Sequence, residues 1–140
     1  MTRVGIAIEL TVSDTAEVRL DHATLVADAG RVIDPDGLIA QLEGGFMQGA
    51  SWALYEQVNW DRDGITSRDW NSYPVIRFDN VPEIDLVLLD TSDHPSVGAG
   101  EASPGPTVAA ISNAIFDCTG LKLQRMPFTP ETLTQTALEM

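Results

Sequence analysis

A strict alternation of apolar and polar residues near the N-terminus is the feature that most constrains the fold. Apolar side chains recur at every second position, as Val4, Ile6, Ile8, Leu10 and Val12. Side chains of a β-strand point alternately to its two faces, so the pattern predicts a strand with one apolar face over residues 3–12. Residues 17–28 alternate again after a polar turn, which predicts a β-hairpin. An isolated hairpin is marginal in water, so other elements must cover its apolar face.

The first element predicted to cover it is a helix that begins at Asp34. Asp34 is a favourable N-cap, Pro35 suits the first helical position, and Asp36 adds an acid to the first turn. The helix is expected to continue to about Glu56. Its apolar side chains recur at helical spacing: Leu38, Ile39, Leu42, Phe46, Ala50, Ala53 and Leu54.

Three glycines lie inside this helix, within residues 41–49, which read QLEGGFMQG. Each costs about 1 kcal/mol relative to alanine, so we expect close approach of another backbone or of a ligand on that face. Gln41 and Gln48 are seven residues apart and share a face. They are either polar surface positions or amides that bind the polar edge of a cofactor.

A tight loop with one carboxylate lies at residues 97–106, which read VGAGEASPGP. Gly98 and Gly100 allow a ligand to approach the backbone closely. Ser103 is a candidate N-cap for the apolar helix that follows at once. Glu101 therefore precedes a helix N-terminus, which favours the ionised carboxylate. This residue is either a helix cap or a general base.

The remaining elements are shorter. Residues 57–67 are predicted to form a second hairpin around a turn that ends in Gly64. Further strands are expected at residues 84–90 and 121–126, and a terminal helix is expected from Thr129. The aromatic residues near the second hairpin are expected to seal a core edge or a subunit interface, with substrate stacking the alternative: Trp60, Trp70, Tyr73 and Phe78. The predicted class is α+β, a mixed or antiparallel sheet with two main helices packed on one side.

The chain has 140 residues and a formal net charge of −13, which predicts one domain over residues 1–140 and argues against nucleic acid as a partner. No run approaches the roughly 20 apolar residues of a membrane span. We expect a cytoplasmic location, with the periplasm open to a chain carried there by a partner. The single Cys118 excludes an internal disulfide, and its apolar helical surroundings predict a buried thiol. His22 has no second ligand nearby and is predicted to be a solvent-facing strand residue rather than a metal ligand.

Two separated motifs resemble those of one enzyme family. The G-x-G-E loop at residues 98–101, with AIFDCTG at 114–120, resembles the C-terminal end of the molybdenum hydroxylases, the xanthine dehydrogenase and aldehyde oxidase superfamily. Residues 41–49 resemble the Q-x-E-G-x-x-x-Q-G helix of that family. The likeness extends in order from about residue 4 to residue 128, and bacterial isoquinoline and nicotinate oxidoreductases are its most similar members.

The resemblance implies a molybdenum–molybdopterin cofactor, with the cytosine dinucleotide among its forms, whose metal is held by the pterin dithiolene and not by protein ligands. It implies that Glu101 is the general base and that Gln41, Gly98, Gly100 and Gln48 contact the cofactor. The implied reaction oxidises a carbon of an N-heteroaromatic ring or an aldehyde, with water as the oxygen source. Electrons would leave through iron–sulfur clusters on a partner subunit.

Large subunits of this family are several times longer than this chain. The resemblance therefore implies a C-terminal cofactor-binding piece, with the upstream half of the subunit and an iron–sulfur subunit as partners. Alone, the chain is expected to be inactive and to self-associate. The alternative is a stand-alone acidic α+β module that binds a partner or dimerises and leaves Glu101 without a chemical role.

Overall fold

A computed structural model describes residues 2–139 and confirms the α+β class. The described residues form five strands, three helices and a short 3-10 turn at Phe78–Asn80. Their bounds are β1 (Arg3–Val12), β2 (Val18–Asp28), α1 (Pro35–Leu54), β3 (Trp60–Asp61), β4 (Gly64–Ile65), β5 (Glu83–Leu88), α2 (Pro104–Thr119) and α3 (Pro130–Leu138).

The main sheet has three strands in the order β1-β2-β5 and is mixed. β1 and β2 form the predicted antiparallel hairpin, with a register shift between Glu9 and Leu10. β5 lies parallel to β2, with Leu86 opposite Leu25. A parallel pair needs a long crossover, which α1 and the segment after it supply. β3 and β4 form a separate two-stranded hairpin at the predicted position.

The core lies between the apolar face of this sheet and the two main helices, as predicted. Ala23 and Leu25 are fully buried on β2, Phe46 on α1, and Ile111 and Ile115 on α2. These side chains belong to one continuous cluster. The alternation seen in the sequence thus corresponds to real burial, because the helices cover only one face of the sheet.

Asp34 caps α1 as predicted, and local capping chemistry also marks the start of α3 and the end of α2. Asp34 Oδ1 accepts a hydrogen bond from the Gly37 backbone N–H at 3.1 Å. Thr129 Oγ1 accepts one from the Thr132 backbone N–H at 3.2 Å, which starts α3. Gly120 ends α2 with a φ of +75°, a conformation that favours glycine.

The strand predicted over residues 121–126 does not form, so that prediction is wrong. Leu123 and Phe128 are buried instead, and the Phe128 N–H donates to the Ala53 carbonyl at the end of α1 (2.6 Å). Within residues 121–126 only Leu123 is buried, so the segment lacks the burial at every second position that a strand with one covered face shows. The segment therefore packs on α1 as irregular backbone.

The aromatic residues near the second hairpin do not seal the core of this chain. Trp60 and Trp70 are each 74% exposed and Phe78 is 97% exposed. Among the described residues, the strands of this hairpin pair with each other and not with the main sheet, and Trp60 on β3 is exposed. Tyr73 is the partly covered member, and its hydroxyl donates to Glu56 Oε2 at 2.7 Å.

One single-residue prediction is also corrected. Cys118 is exposed, because it lies in the last turn of α2 beyond Ile115, the last buried residue of that helix. His22 lies on β2 as expected, on the face opposite the buried Ala23 and Leu25, with 27% of its side chain exposed and its Nε2 3.1 Å from Asp85 Oδ2 on β5. In the described part of the chain, no helix combines the length and apolar character that crossing a bilayer requires.

Candidate functional site

The loop that carries Glu101 is attached to the end of the central strand. The Val97 N–H donates to the Ala29 carbonyl (3.1 Å), and the Arg31 N–H donates to the His94 carbonyl (3.0 Å). These bonds continue the pairing of β2 with β5 in irregular form beyond the strand ends. The loop therefore leaves the sheet from a fixed position.

A turn at the end of β2 supports this attachment. Asp28 Oδ1 accepts hydrogen bonds from the Thr91 hydroxyl (2.7 Å) and the Gly30 N–H (3.1 Å). Both hydrogen bonds lower the pKa of Asp28, because both donors favour the ionised carboxylate, and the bond from Thr91 has the larger effect. Gly30 has a φ of +65°, and a Cβ there would collide with the Pro95 carbonyl. Glycine is required at this position for both reasons.

Glu101 lies on an exposed turn between this attachment and α2. The turn is closed by the Ala102 N–H, which lies 3.4 Å from the Ala99 carbonyl. Gly100, on one side of Glu101, accepts a hydrogen bond at its carbonyl from Gln41 Nε2 on α1 (2.6 Å). The two sequence motifs, 59 residues apart, are therefore joined by a direct contact.

Ser103, two residues after Glu101, is also bound to α1. Its buried hydroxyl donates to the Leu42 carbonyl at 2.8 Å. Ser103 occupies the predicted N-cap position of α2, but its side chain makes no capping bond. The prediction was right about the position and wrong about the hydroxyl, which turns to α1 because α1 passes within hydrogen-bonding distance.

Two of the three helix glycines explain how α1 and α2 approach so closely. A Cβ at Gly45 would collide with Ser103 Oγ, and a Cβ at Gly49 would lie 2.7 Å from the Pro104 carbonyl oxygen. Gly44 faces open space, with nothing within 4 Å of such an atom. The predicted backbone approach is thus confirmed at Gly49, whereas Gly45 meets the side chains of Ser103 and Pro104 and Gly44 has no such neighbour.

An open cleft of about 320 Å³ lies beside this contact. Its walls are the β2–α1 connection, the first turns of α1 and the glycine loop, and they include Gln41, Gly100, Arg31 and Asp34. Arg31 is held there by a bond from its Nε to the Ser92 carbonyl (3.2 Å). The cleft combines backbone polar groups, the Gln41 amide, the Asp34 carboxylate and one guanidinium held by a hydrogen bond.

The five predicted site residues are not all at this cleft. Gln41 and Gly100 line it and touch each other. Gly98 lies nearby, with its carbonyl bound by the Thr2 hydroxyl at 2.7 Å, and Glu101 lies on the adjoining exposed turn. Gln48 is exposed two turns further along α1 and does not line the cleft.

Sequence reasoning missed the β2–α1 connection, which forms one wall of the cleft. Val32 and Ile33 lie there, and Ile33 is 77% exposed. The available signal in the sequence was an apolar pair, Val32 and Ile33, in a short connection between Gly30 and the N-cap Asp34. Within residues 2–139 no group of three or more His, Cys, Asp or Glu side chains is arranged to hold a metal ion.

Comparison with known proteins gives a consistent result. The sequence model of the molybdopterin cofactor-binding domain family matches residues 6–82. One subunit of the nicotinate dehydrogenase of Pseudomonas putida is 37% identical over 117 residues, which is 84% of this chain and 10% of that protein. The beta subunit of isoquinoline 1-oxidoreductase from Brevundimonas diminuta is 36% identical over 103 residues, 74% of this chain and 13% of that protein.

Solved structures give the same result for the fold. The aldehyde oxidoreductase of Desulfovibrio gigas superposes with a TM-score of 0.78 and 29% identity, over 92% of this chain and 15% of that one. The chain thus spans only a small part of the proteins it matches. The family match includes Gln41 and Gln48, and it ends before the loop with Gly98, Gly100 and Glu101.

Proposed function

The chain belongs to the molybdopterin cofactor-binding domain family, and from this membership we propose that it is the C-terminal part of the large subunit of a molybdenum hydroxylase. The whole enzyme would oxidise a carbon of an N-heteroaromatic ring or an aldehyde and take the added oxygen from water. The names of the relatives, nicotinate dehydrogenase, isoquinoline 1-oxidoreductase and aldehyde oxidoreductase, support this substrate class.

The observation that carries the proposal is the bond between Gln41 and Gly100. It joins the family's glutamine–glycine helix to the turn that bears Glu101. A helix cap would not need a glutamine from a separate element to fix the residue before it. A base would, because proton transfer depends on where its oxygens are held.

The residues at the cleft suit a polar organic cofactor. Gln41 uses one amide N–H for the Gly100 carbonyl, so its Oε1 and second N–H are free to bind a pterin edge. Gly98 and Gly100 have open space where a side chain would begin, which leaves the loop backbone accessible. The Arg31 guanidinium suits a phosphate group of the cofactor. Gln48 is proposed as a more distant contact.

When bound, the molybdenum cofactor supplies the two-electron oxidation. The role proposed for this chain is to hold a proton acceptor at the reacting centre. Glu101 would accept, on a carboxylate oxygen, the proton that water loses as its oxygen becomes bonded to the substrate carbon. The balance is one C–H and one water consumed, one C–OH formed, and two protons and two electrons released. The electrons would leave through iron–sulfur clusters on a partner subunit.

Two finer points complete the proposal. The cofactor is proposed to carry the cytosine dinucleotide, in line with the resemblance to the bacterial members, and acid release of the nucleotide followed by mass spectrometry tests it. The upstream half of the large subunit is proposed to cover residues 57–80, where Trp60, Trp70 and Phe78 are exposed. A large exposed aromatic surface is typical of an interaction site.

The same surface favours the second candidate function, a stand-alone acidic module that dimerises or binds a partner without chemistry. Molybdenum content separates the two. The chain is produced alone and together with the rest of its subunit, and molybdenum per protein is measured in both. We expect metal and oxidation of a heterocycle or aldehyde only in the assembled protein. An assembled protein without molybdenum would favour the second candidate function, the stand-alone module. Stoichiometric molybdenum in the isolated monomer would contradict the proposal that this chain is part of a larger subunit.

A further inference from the structure

Two consecutive residues of α1 hold the Glu101 turn from both sides. Gln41 Nε2 donates to the Gly100 carbonyl at 2.6 Å, and the Leu42 carbonyl accepts from Ser103 Oγ at 2.8 Å. The bound residues are the one before Glu101 and the one two places after it. The turn therefore has a fixed point on each side of the carboxylate.

The two fixed points differ in what they do for the fold. Ser103 is 1% exposed and lies where Gly45 lets α2 approach α1. Its bond is part of the core. Gln41 is exposed, and its side-chain amide extends from α1 to the Gly100 carbonyl in the loop. Removing Gln41 costs little packing, so its bond serves the turn more than the core.

We infer that Gln41 is a positioning residue for Glu101: its amide N–H orders the exposed turn, and through that turn it fixes the direction of the carboxylate. This inference rests on the proposed function for the role of Glu101, but the ordering itself does not depend on it. It also gives the two ends of the Gln41 amide different tasks. The Nε2 end binds the loop, and the Oε1 end is free for the cofactor.

The inference is tested by NMR on the isotope-labelled 140-residue chain, with no molybdenum present. Gln41→Met keeps the length of the side chain and its helix propensity but removes the donor. We expect the Gly100 carbonyl carbon resonance to move and the Ala102 amide to exchange about threefold to tenfold faster, the range expected for loss of one neutral hydrogen bond. Gln48→Met is the matched control, the same change on the same face of α1 and away from the loop, and it should reproduce the wild-type loop.

A rescue variant distinguishes the donor from general packing. Gln41→Lys restores an N–H donor that reaches the Gly100 carbonyl, so slow exchange at Ala102 should return. Equal exchange in Gln41→Met and wild type would overturn the inference, and so would equal acceleration in Gln41→Met and Gln48→Met. If Gln41→Met does not fold, Gln41→Lys alone decides: a wild-type Gly100 resonance supports the inference, and a displaced one overturns it.

The assembled enzyme adds a second readout. As a positioning residue, Gln41 should lower kcat per bound molybdenum in the Gln41→Met variant, whereas loss of its Oε1 contact with the cofactor would appear as a lower molybdenum content. Loss of molybdenum with an unchanged loop would make Gln41 a cofactor ligand only and overturn the inference. Failure of the proposed function would appear differently, as an ordered loop in the isolated chain and no activity in any assembled form.

Discussion

The junction of α1, the glycine loop and α2 and the segment at residues 57–80 are built in opposite ways. At the junction, Ser103 and Thr107 are buried and hydrogen-bonded, and the two helices meet at glycines. In residues 57–80, large aromatic side chains face solvent and the short hairpin pairs only with itself. Both regions lie within the same 140-residue chain.

The junction is formed by contacts within this chain, whereas the side chains of Trp60, Trp70 and Phe78 are left exposed. Contacts within the chain already define the junction, so the Glu101 turn needs no other protein to take its shape. The exposed aromatic residues gain most of their stabilisation only when something covers them, because burial of apolar area is the main favourable term. The chain spans 10% and 13% of two curated relatives, and the upstream half proposed above would cover this surface.

Among the changes that probe this comparison in the isolated chain, the first is made at the exposed surface. Trp60→Ser should weaken self-association by about 30-fold or more, since buried aromatic anchors contribute about 2 kcal/mol or more. Sedimentation velocity over a concentration series measures it. Trp52→Ser is the control, because Trp52 is on α1 and only 40% exposed. If the isolated chain stays monomeric at high concentration, the exposed aromatic residues do not form an association surface, and this difference between the two regions would not hold.

An effect of comparable size is expected at the junction. Gly49→Ala should destabilise the domain by about 1–3 kcal/mol, because the new Cβ would lie 2.7 Å from the Pro104 carbonyl oxygen and 3.1 Å from Thr107 Cβ. Gly44→Ala has open space and should stabilise the domain by about 0.5–1 kcal/mol through helix propensity. Urea unfolding measures both. Stabilisation by both changes would show that the helices do not meet at Gly49.

The smallest effect concerns the attachment of the loop to β2. The folded-state pKa of Asp28 lies below its ordinary value of 3.8, chiefly because of the Thr91 hydroxyl. Its carboxylate therefore contributes stability above pH 3.8, and the contribution is lost as pH falls through the folded pKa. Thr91→Val should raise the Asp28 pKa, which an NMR titration measures, and slightly lower stability at neutral pH. An unchanged pKa would mean that the hydroxyl does not bind Asp28 in solution.

The local elements of this fold could be predicted because their signals are local. The alternation at Val4 to Val12 reports burial on one face, and the Asp34 and Thr129 caps report helix starts. The strand predicted at residues 121–126 does not form. The Phe128 N–H just after this segment binds a carbonyl of α1, a tertiary contact that no local sequence pattern reveals. The prediction of a buried Cys118 was wrong for a similar reason, because a stripe of apolar residues along a helix does not show where the elements that cover the helix end.

The candidate site was predictable only as separate pieces. The residue types in the two motifs suggested Gln41, Gly100 and Glu101 individually. Their arrangement depends on α1 and α2 meeting at Gly45 and Gly49, which is a tertiary contact. The β2–α1 wall with Ile33 was missed because exposed apolar residues in a connection have no periodicity.

The most direct test of the central claim is turnover per molybdenum in the assembled enzyme for wild type and Glu101→Gln. The amide fills the same volume, so molybdenum content should stay near that of the wild type. Loss of the base should reduce turnover by about 10²–10⁴-fold. Asp93→Asn is the control, because Asp93 is an exposed carboxylate in the segment that leads into the loop, and it should retain wild-type turnover. Turnover of Glu101→Gln within about threefold of wild type, well short of the effect of a general base, would make Glu101 a helix cap and contradict the account.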